Sequence, residues 1–237
     1  MGNTLPEGTE TFDYVVIGAG SGGMASARRA AAMGKKVCMI ENRVIGGTCV
    51  NVGCVPKKVM FNLANFLEEA QAMKGYGVTG LEHLGLDFAH FKAKRDGYVK
   101  RLNGIFKNNV DKAEITYIEG TASFISDQVV KVGDRMFYAP HTMIASGSTP
   151  EPGSFEGSEF CMNSDDFFEM ETLPERMVVI GGGYIGIELA QILQAFGVKV
   201  TLLIRSIPLR FIDSDITDVL VESMIKLGID VRLNSPH

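Results

Sequence analysis

No apolar run in the 237-residue sequence approaches the roughly 20 residues that cross a bilayer, so no membrane helix is expected. Positive charge is in deficit. The 23 lysines and arginines stand against 28 acids, a formal charge of −5, which argues against a nucleic-acid-binding protein. The four cysteines are too few for a disulfide scaffold. The first 11 residues have neither an apolar signal-peptide core nor an Arg-rich amphipathic pattern. Met1-Gly2 begins like a myristoylation signal, but Pro6 stands where Ser or Thr is required. The expectation is a soluble, cytoplasmic protein in a reducing compartment, where a cysteine pair is more readily catalytic than structural.

Hydrophobic residues make up 46% of the chain, enough for a substantial core. The most unusual stretch runs Gly46-Gly47-Thr48-Cys49-Val50-Asn51-Val52-Gly53-Cys54-Val55-Pro56-Lys57-Lys58. Its Cys-x₄-Cys spacing fits neither zinc knuckles nor thioredoxin-like motifs, and no metal site is expected. A disulfide is within reach if the segment curls like a first helical turn. So small a ring gains little loop entropy, and a redox-active pair is the better reading. Cys38 lies in an apolar strand-like run and reads as core, while Cys161 lies in a loop-like stretch.

Residues 12–17 form a short apolar strand that ends in Gly18-Ala19-Gly20-Ser21-Gly22-Gly23. An Ala-rich helix over 24–33 and a strand over 37–41 ending in Glu41 complete a dinucleotide-binding unit. Gly18 allows the tight turn, Gly20 lets a pyrophosphate approach, and Gly23 lets helix and strand pack. Glu41 is placed to read a ribose diol. The pattern returns in the strand at 177–180, Gly181-Gly182-Gly183-Tyr184-Ile185-Gly186, a helix over 187–196 and a strand over 198–205. On the gapless register Ile204 replaces Glu41, and Arg205 and Arg210 follow. Loss of the acid and gain of cations predict a 2′-phosphate, hence NADP, in the second unit.

Between these units the spacing predicts a helix from 57 to 73 and another from 88 to about 109. The basic residues of the second (Lys92, Lys94, Arg95, Lys100, Arg101, Lys107) read as a solvated face, because no aromatics interleave as a stacking platform. Short strands or hairpins are expected at 114–119, 122–125, 129–132 and 136–139, a strand at 141–145, and a connection at 149–159. A helix at 213–228 and a strand at 229–233 end the pattern. The fold class is α/β, three-layered, with two Rossmann-like units: 1–150 and 151–237.

The two glycine motifs, Gly47-Thr48-Cys49-x₄-Cys54-Val55-Pro56-Lys57-Lys58, Arg95-Asp96-Gly97-Tyr98-Val99 and Ala139-Pro140-His141 resemble the class I pyridine nucleotide–disulfide oxidoreductases. Within that family they are most similar to the glutathione reductases. The resemblance implies that residues 1–150 bind FAD and 151–237 bind NADPH. It implies that electrons pass through the Cys49–Cys54 disulfide to glutathione disulfide. Cys54 would lie nearer the flavin and Cys49 would be the exposed attacking thiolate. Lys57 would sit near the flavin and pair with Glu188. Gly47, Thr48, Ser21, Gly22, Ala122 and Gly147 would contribute to the FAD site, and Gly181 to Gly186, Arg205 and Arg210 to the NADPH site. Ser21, Arg28 and Tyr98 would meet the glutathione substrate.

The family's homodimeric polypeptide continues beyond the counterpart of His237. Its flavin return segment, the rest of its NADPH domain and its dimerisation domain, with a His–Glu acid pair, have no counterpart in these 237 residues. His83, His90, His141 and His237 do not stand in for that pair. Three readings stay open: part or short form of a glutathione-reducing enzyme, an inactive relative acting as an interaction subunit, or a large thioredoxin reductase-like enzyme. The last is suggested by the short spacing of Arg205 and Arg210.

Overall fold

The structure, a computed structural model, describes residues 5–151 and 153–235; the Met1-Gly2 start and His237 lie outside the described residues. The chain divides into two compact units, Met1–Pro56 with Asp96–Thr149, and Lys57–Arg95 with Pro150–His237.

The first unit opens with β1 (Glu10–Thr11), β2 (Tyr14–Ile17), α1 (Ser21–Ala32), β3 (Val37–Glu41) and α2 (Gly47–Asn51). Two long helices follow, α3 (Cys54–Ala72) and α4 (Phe88–Lys112), and each runs across the division between units. Then come β4 (Thr116–Glu119), β5 (Ser123–Ser126), β6 (Val129–Val132), β7 (Arg135–Tyr138) and β8 (His141–Ile144). One sheet is wholly parallel in the order β4-β3-β2-β8. The other has the order β1-β7-β6-β5, antiparallel except where β1 meets β7.

Alternation along the parallel strands builds three layers. Val16, Val37 and Met39 pack with Met24 and Ala27 of α1 and Val110 of α4. Their neighbours Val15, Cys38 and Ile40 point the other way, onto Val130, Val132 and Phe137 of the second sheet. Strands β2 and β3 are therefore covered on both faces, and β3 is buried along its whole length. Each such fully buried side chain contributes about 1.5–3 kcal/mol.

The second unit adds α5 (Ser164–Glu169), β9 (Arg176–Ile180), α6 (Tyr184–Ala195), β10 (Lys199–Leu203), α7 (Ser214–Lys226) and β11 (Asp230–Arg232). Its sheet, β11-β10-β9, is parallel. Helix α6 buries Ile187, Leu189, Ala190, Ile192 and Leu193. The Phe196 ring that ends it lies 6.3 Å from Phe88 and 5.9 Å from Phe91 of α4.

That packing corrects the expected solvated basic face. Lys92 and Arg95 are buried, because the first part of α4, up to Arg95, belongs to the second unit. Arg95 donates to the Phe168 carbonyl and sits over its ring, and Lys92 pairs with Glu171 at 3.2 Å. Lys94, Lys100, Arg101 and Lys107 are exposed as expected. Both Rossmann helices begin three residues before their expected starts, because the last glycines of each motif belong to the first helical turn. Helix α3 likewise begins at Cys54, and the short α2 is an addition. Among the described residues no helix is long and apolar enough to cross a membrane.

Candidate functional site

The first glycine turn is built by contact. Gly18 has φ +106°, and a Cβ on Gly23 would stand 1.9 Å from the Gly18 carbonyl oxygen. Only two bare backbones can pass this closely. Helix α1 then starts with Gly20 as its cap and no side-chain acceptor on its N–H groups, leaving them for an anion. Ser21 and Gly22 are exposed in its first turn. A Cβ on Gly47 would lie 2.7 Å from Gly20 Cα, so the cysteine-bearing loop touches the dinucleotide turn.

Glu41 holds this arrangement. Its Oε2 accepts from the Ala19 N–H at 2.7 Å and its Oε1 from the Arg43 N–H at 2.8 Å. Each oxygen keeps a second lone pair for a ribose hydroxyl. Ala122 packs against the core between the two sheets. Gly147 is exposed just after β8 with φ +70°. Arg28 is exposed on α1, and Tyr98 on α4 lies under the Arg101 guanidinium at 5.0 Å.

Cys49 lies in α2 beside the exposed Thr48, and Cys54 opens α3. The structure holds both as free thiols, five positions apart on consecutive helices. Burial pushes the Cys49 thiol up to about 11, and the neighbouring Cys54 adds to the rise. Cys54 is exposed and Cys49 half-buried, so the more open thiol is not the one assigned to attack by resemblance. The cause is local: Cys49 precedes the buried Val50 within α2, whereas Cys54 stands at a helix start.

Sequence reasoning overlooked the residue between them. Asn51 Nδ2 donates to the carbonyl oxygens of Gly47 at 2.9 Å and Ile45 at 3.2 Å. Its Oδ1 accepts from Asn103 of α4 at 2.9 Å, and Asn103 Nδ2 also reaches the Ile45 carbonyl at 2.8 Å. A polar side chain placed inside a Cys-x₄-Cys loop was the available signal.

In the second unit a Cβ on Gly186 would lie 2.7 Å from the Gly181 carbonyl oxygen, repeating the close approach of the first. Gly183 caps α6 without a side-chain acceptor, and Tyr184 and Ile185 are exposed in the first turn. Ile204 is buried and would meet a Cβ on Gly182 at 2.7 Å. An apolar side chain thus fills the place of Glu41. Arg205 and Arg210 are exposed, and Arg210 Nη2 reaches the Ser206 hydroxyl at 3.3 Å. Lys57 Nζ donates to Glu188 Oε1 at 2.9 Å.

A family profile described as pyridine nucleotide-disulphide oxidoreductase matches residues 12–236. Glutathione reductase of Schizosaccharomyces pombe is 43% identical over 236 residues, covering 96% of this chain and 51% of the relative. That of Yarrowia lipolytica is 43% identical over 238 residues, covering 94% and 51%. That of Debaryomyces hansenii is 40% identical over 250 residues, covering 93% and 51%. The chain spans about half the length of these curated relatives.

Proposed function

The chain belongs to the pyridine nucleotide–disulphide oxidoreductase family, and from that membership we propose that it serves NADPH-dependent reduction of glutathione disulfide. The observation that carries the proposal is the loop at Cys49 and Cys54: two free thiols on a segment whose Gly47 touches the dinucleotide turn at Gly20. FAD and NADPH are the cofactors of this family. The residues fit both groups. The Gly20–Gly47 approach, which a Cβ on Gly47 would obstruct at 2.7 Å, lies beside an uncapped helix start. In the second unit another uncapped helix start accompanies Arg205 and Arg210. When bound, FAD relays the electron pair of NADPH to the disulfide.

The chain's own residues do the rest. Reduction gives the Cys49 and Cys54 thiols. Cys49 loses its proton and attacks one sulfur of glutathione disulfide; the S–S bond breaks and the first glutathione leaves as a thiolate that takes a proton. Cys54, deprotonated in turn, attacks the Cys49 sulfur of the mixed disulfide. The second glutathione leaves, and the Cys49–Cys54 bond re-forms. Two electrons leave the protein for each substrate molecule, matching the pair received. The Arg28 guanidinium is suited to a glutathione carboxylate, with Ser21 nearby in the same helix, and the Tyr98 ring to covering the disulfide substrate. Lys57, one helical turn after Cys54 on α3 and held by Glu188, supplies a fixed cation to the redox centre.

The test is NADPH oxidation by the FAD-supplemented protein with glutathione disulfide or with oxidised thioredoxin. Turnover with glutathione disulfide that Cys49→Ser abolishes is expected. Turnover with thioredoxin alone would replace the substrate, and no turnover with either would favour an interaction subunit.

A further inference from the structure

Asn51 and Asn103 form a link between a long helix and the cysteine loop that no catalytic step above requires. Asn51 Nδ2 faces the carbonyl oxygens of Gly47, Ile45 and Val44, which identifies it as the amide nitrogen and leaves Oδ1 to accept from Asn103. Asn103 Nδ2 bridges Asn51 Oδ1 and the Ile45 carbonyl. The donors come from the two ends of the arrangement: from Asn51, two residues beyond Cys49, and from Asn103 on the 25-residue α4. The acceptors are the chain's entry into α2, beside the contact between Gly47 and Gly20.

The loop is also held by α2 itself and by the buried Val50. Outside the helix, its backbone ties among the described residues include Gly46 N–H to the Ala19 carbonyl, Gly47 N–H to Val44, and Val52 N–H to Thr48. Past Asn51 the path is tight. A Cβ on Gly53 would stand 2.8 Å from the Thr48 carbonyl oxygen, so the chain folds back on α2 before Cys54 starts the next helix. The amide pair therefore fixes the pedestal from which Cys49 faces Cys54. Pairing of two thiols within one chain depends on their effective concentration, which falls as the segment carrying one of them becomes mobile.

From these contacts we infer that Asn51 and Asn103 are positioning residues that set the reduction potential of the Cys49–Cys54 couple. They favour the disulfide by holding the two sulfurs within bonding reach in the reduced state. Neither touches the sulfurs; both act through the backbone at 44–47. The inference rests on the reading of Cys49 and Cys54 as the redox pair, but not on the identity of the final electron acceptor.

The test needs neither flavin nor turnover. The 237-residue chain is equilibrated in glutathione redox buffers, in which the two thiols give two electrons and two protons to one glutathione disulfide and release two glutathiones. The disulfide fraction is read by alkylation and mass. In the wild-type chain a single Cys49–Cys54 disulfide is expected. Asn103→Asp, nearly isosteric but without a donor, lowers the equilibrium constant for forming it by about tenfold, equivalent to about 30 mV. Asn51→Ala does the same. The double variant falls short of the product of the two, because they act as one unit. Asn51→Asp keeps the oxygen that accepts from Asn103 but loses the loop clamp, and falls between the wild-type chain and Asn51→Ala. Should Asn103→Asp lose its native circular dichroism, Asn51→Asp decides the matter. Constants within twofold of wild type in folded variants overturn the inference. Failure of the wild-type chain to form the disulfide at all overturns the redox reading instead.

Discussion

Lys57 Nζ stands 2.9 Å from Glu188 Oε1, an ion pair between residues 131 positions apart within one unit. Neither side chain is deeply covered, with 26% and 38% of their surfaces exposed. Such a pair contributes at most about 1 kcal/mol to stability. Its placement on the helix that begins with Cys54 points to a different use. Glu188→Gln keeps shape and removes charge. The melting temperature is expected to move by less than about 4 °C. Reduction of bound flavin by NADPH, followed by stopped flow, is expected to slow by about tenfold, since a fixed charge beside developing charge carries roughly 1.4 kcal/mol or more. An unchanged rate with an unchanged melt would reduce the pair to surface decoration.

Two glycines separate packing from turn geometry. At Gly23 a methyl group would meet the Gly18 carbonyl oxygen at 1.9 Å, a backbone obstacle that cannot rotate away. Gly23→Ala is expected to cost over about 4 kcal/mol or to prevent folding. At Gly147, φ is +70° but nothing lies within 4 Å of an added methyl group. Gly147→Ala is expected to cost only about 1–2 kcal/mol. Urea unfolding of both variants checks the ordering; similar costs would mean that the turn at Gly18 relaxes.

The strand, glycine turn, helix and strand of both units were legible because each step has its own signal: apolar runs, positive-φ glycines, helical spacing. What was not legible depended on distant partners. Arg95 and Lys92 belong to a run of cations that reads as surface, yet α4 carries them into contact with Phe168 and Glu171. Asn103 lies 52 positions from Asn51, and asparagine in a loop needs no partner to be plausible. The short α2 was hidden because its five residues begin at a glycine with φ +62°, a poor advertisement for a helix. From sequence Glu41 reads as a ligand acceptor; the structure adds that it first anchors the turn at Ala19.

Alkaline pH should unfold the reduced protein by a specific route. Burial, with Glu10 adding to it, pushes Cys38 from 9.0 up to about 12, and burial, with Glu41 and Glu119, pushes Tyr117 from 10.0 up to about 12. Both groups are held in their neutral, protonated forms by the fold. Their contribution is full below the unfolded values and is lost as pH rises through 9 toward 12. Cys38 alone corresponds to roughly 2–3 kcal/mol lost between pH 8.5 and 11. Cys49, raised to about 11 but more open to water, adds less. Denaturant unfolding under reducing conditions should show this decline, and Cys38→Ala should flatten it. A slope that survives the substitution would assign the alkaline instability to other groups.

The second glycine motif makes a prediction through what replaces an acid. Ile204 is 1% exposed and fills the space beside Gly182, so no carboxylate stands there to repel a phosphate. Arg205 and Arg210 extend from the segment after β10 into solvent, with Ser206 between them. Being exposed, each can be removed at a cost within about 0.5 kcal/mol. A charge-assisted hydrogen bond to a phosphate contributes about 1.5–3 kcal/mol. Arg205→Ala and Arg210→Ala are therefore each expected to weaken binding of 2′,5′-ADP by about 10- to 100-fold, with 5′-AMP binding unchanged. Titration calorimetry reads both ligands on one sample. Equal losses for the two nucleotides would mean that the arginines act on the 5′-phosphate side; no loss for either would return them to the solvated surface. Arg205→Glu sharpens the contrast, because it restores beside Ile204 the charge that Glu41 supplies in the first unit, and it should turn the preference toward the unphosphorylated ribose.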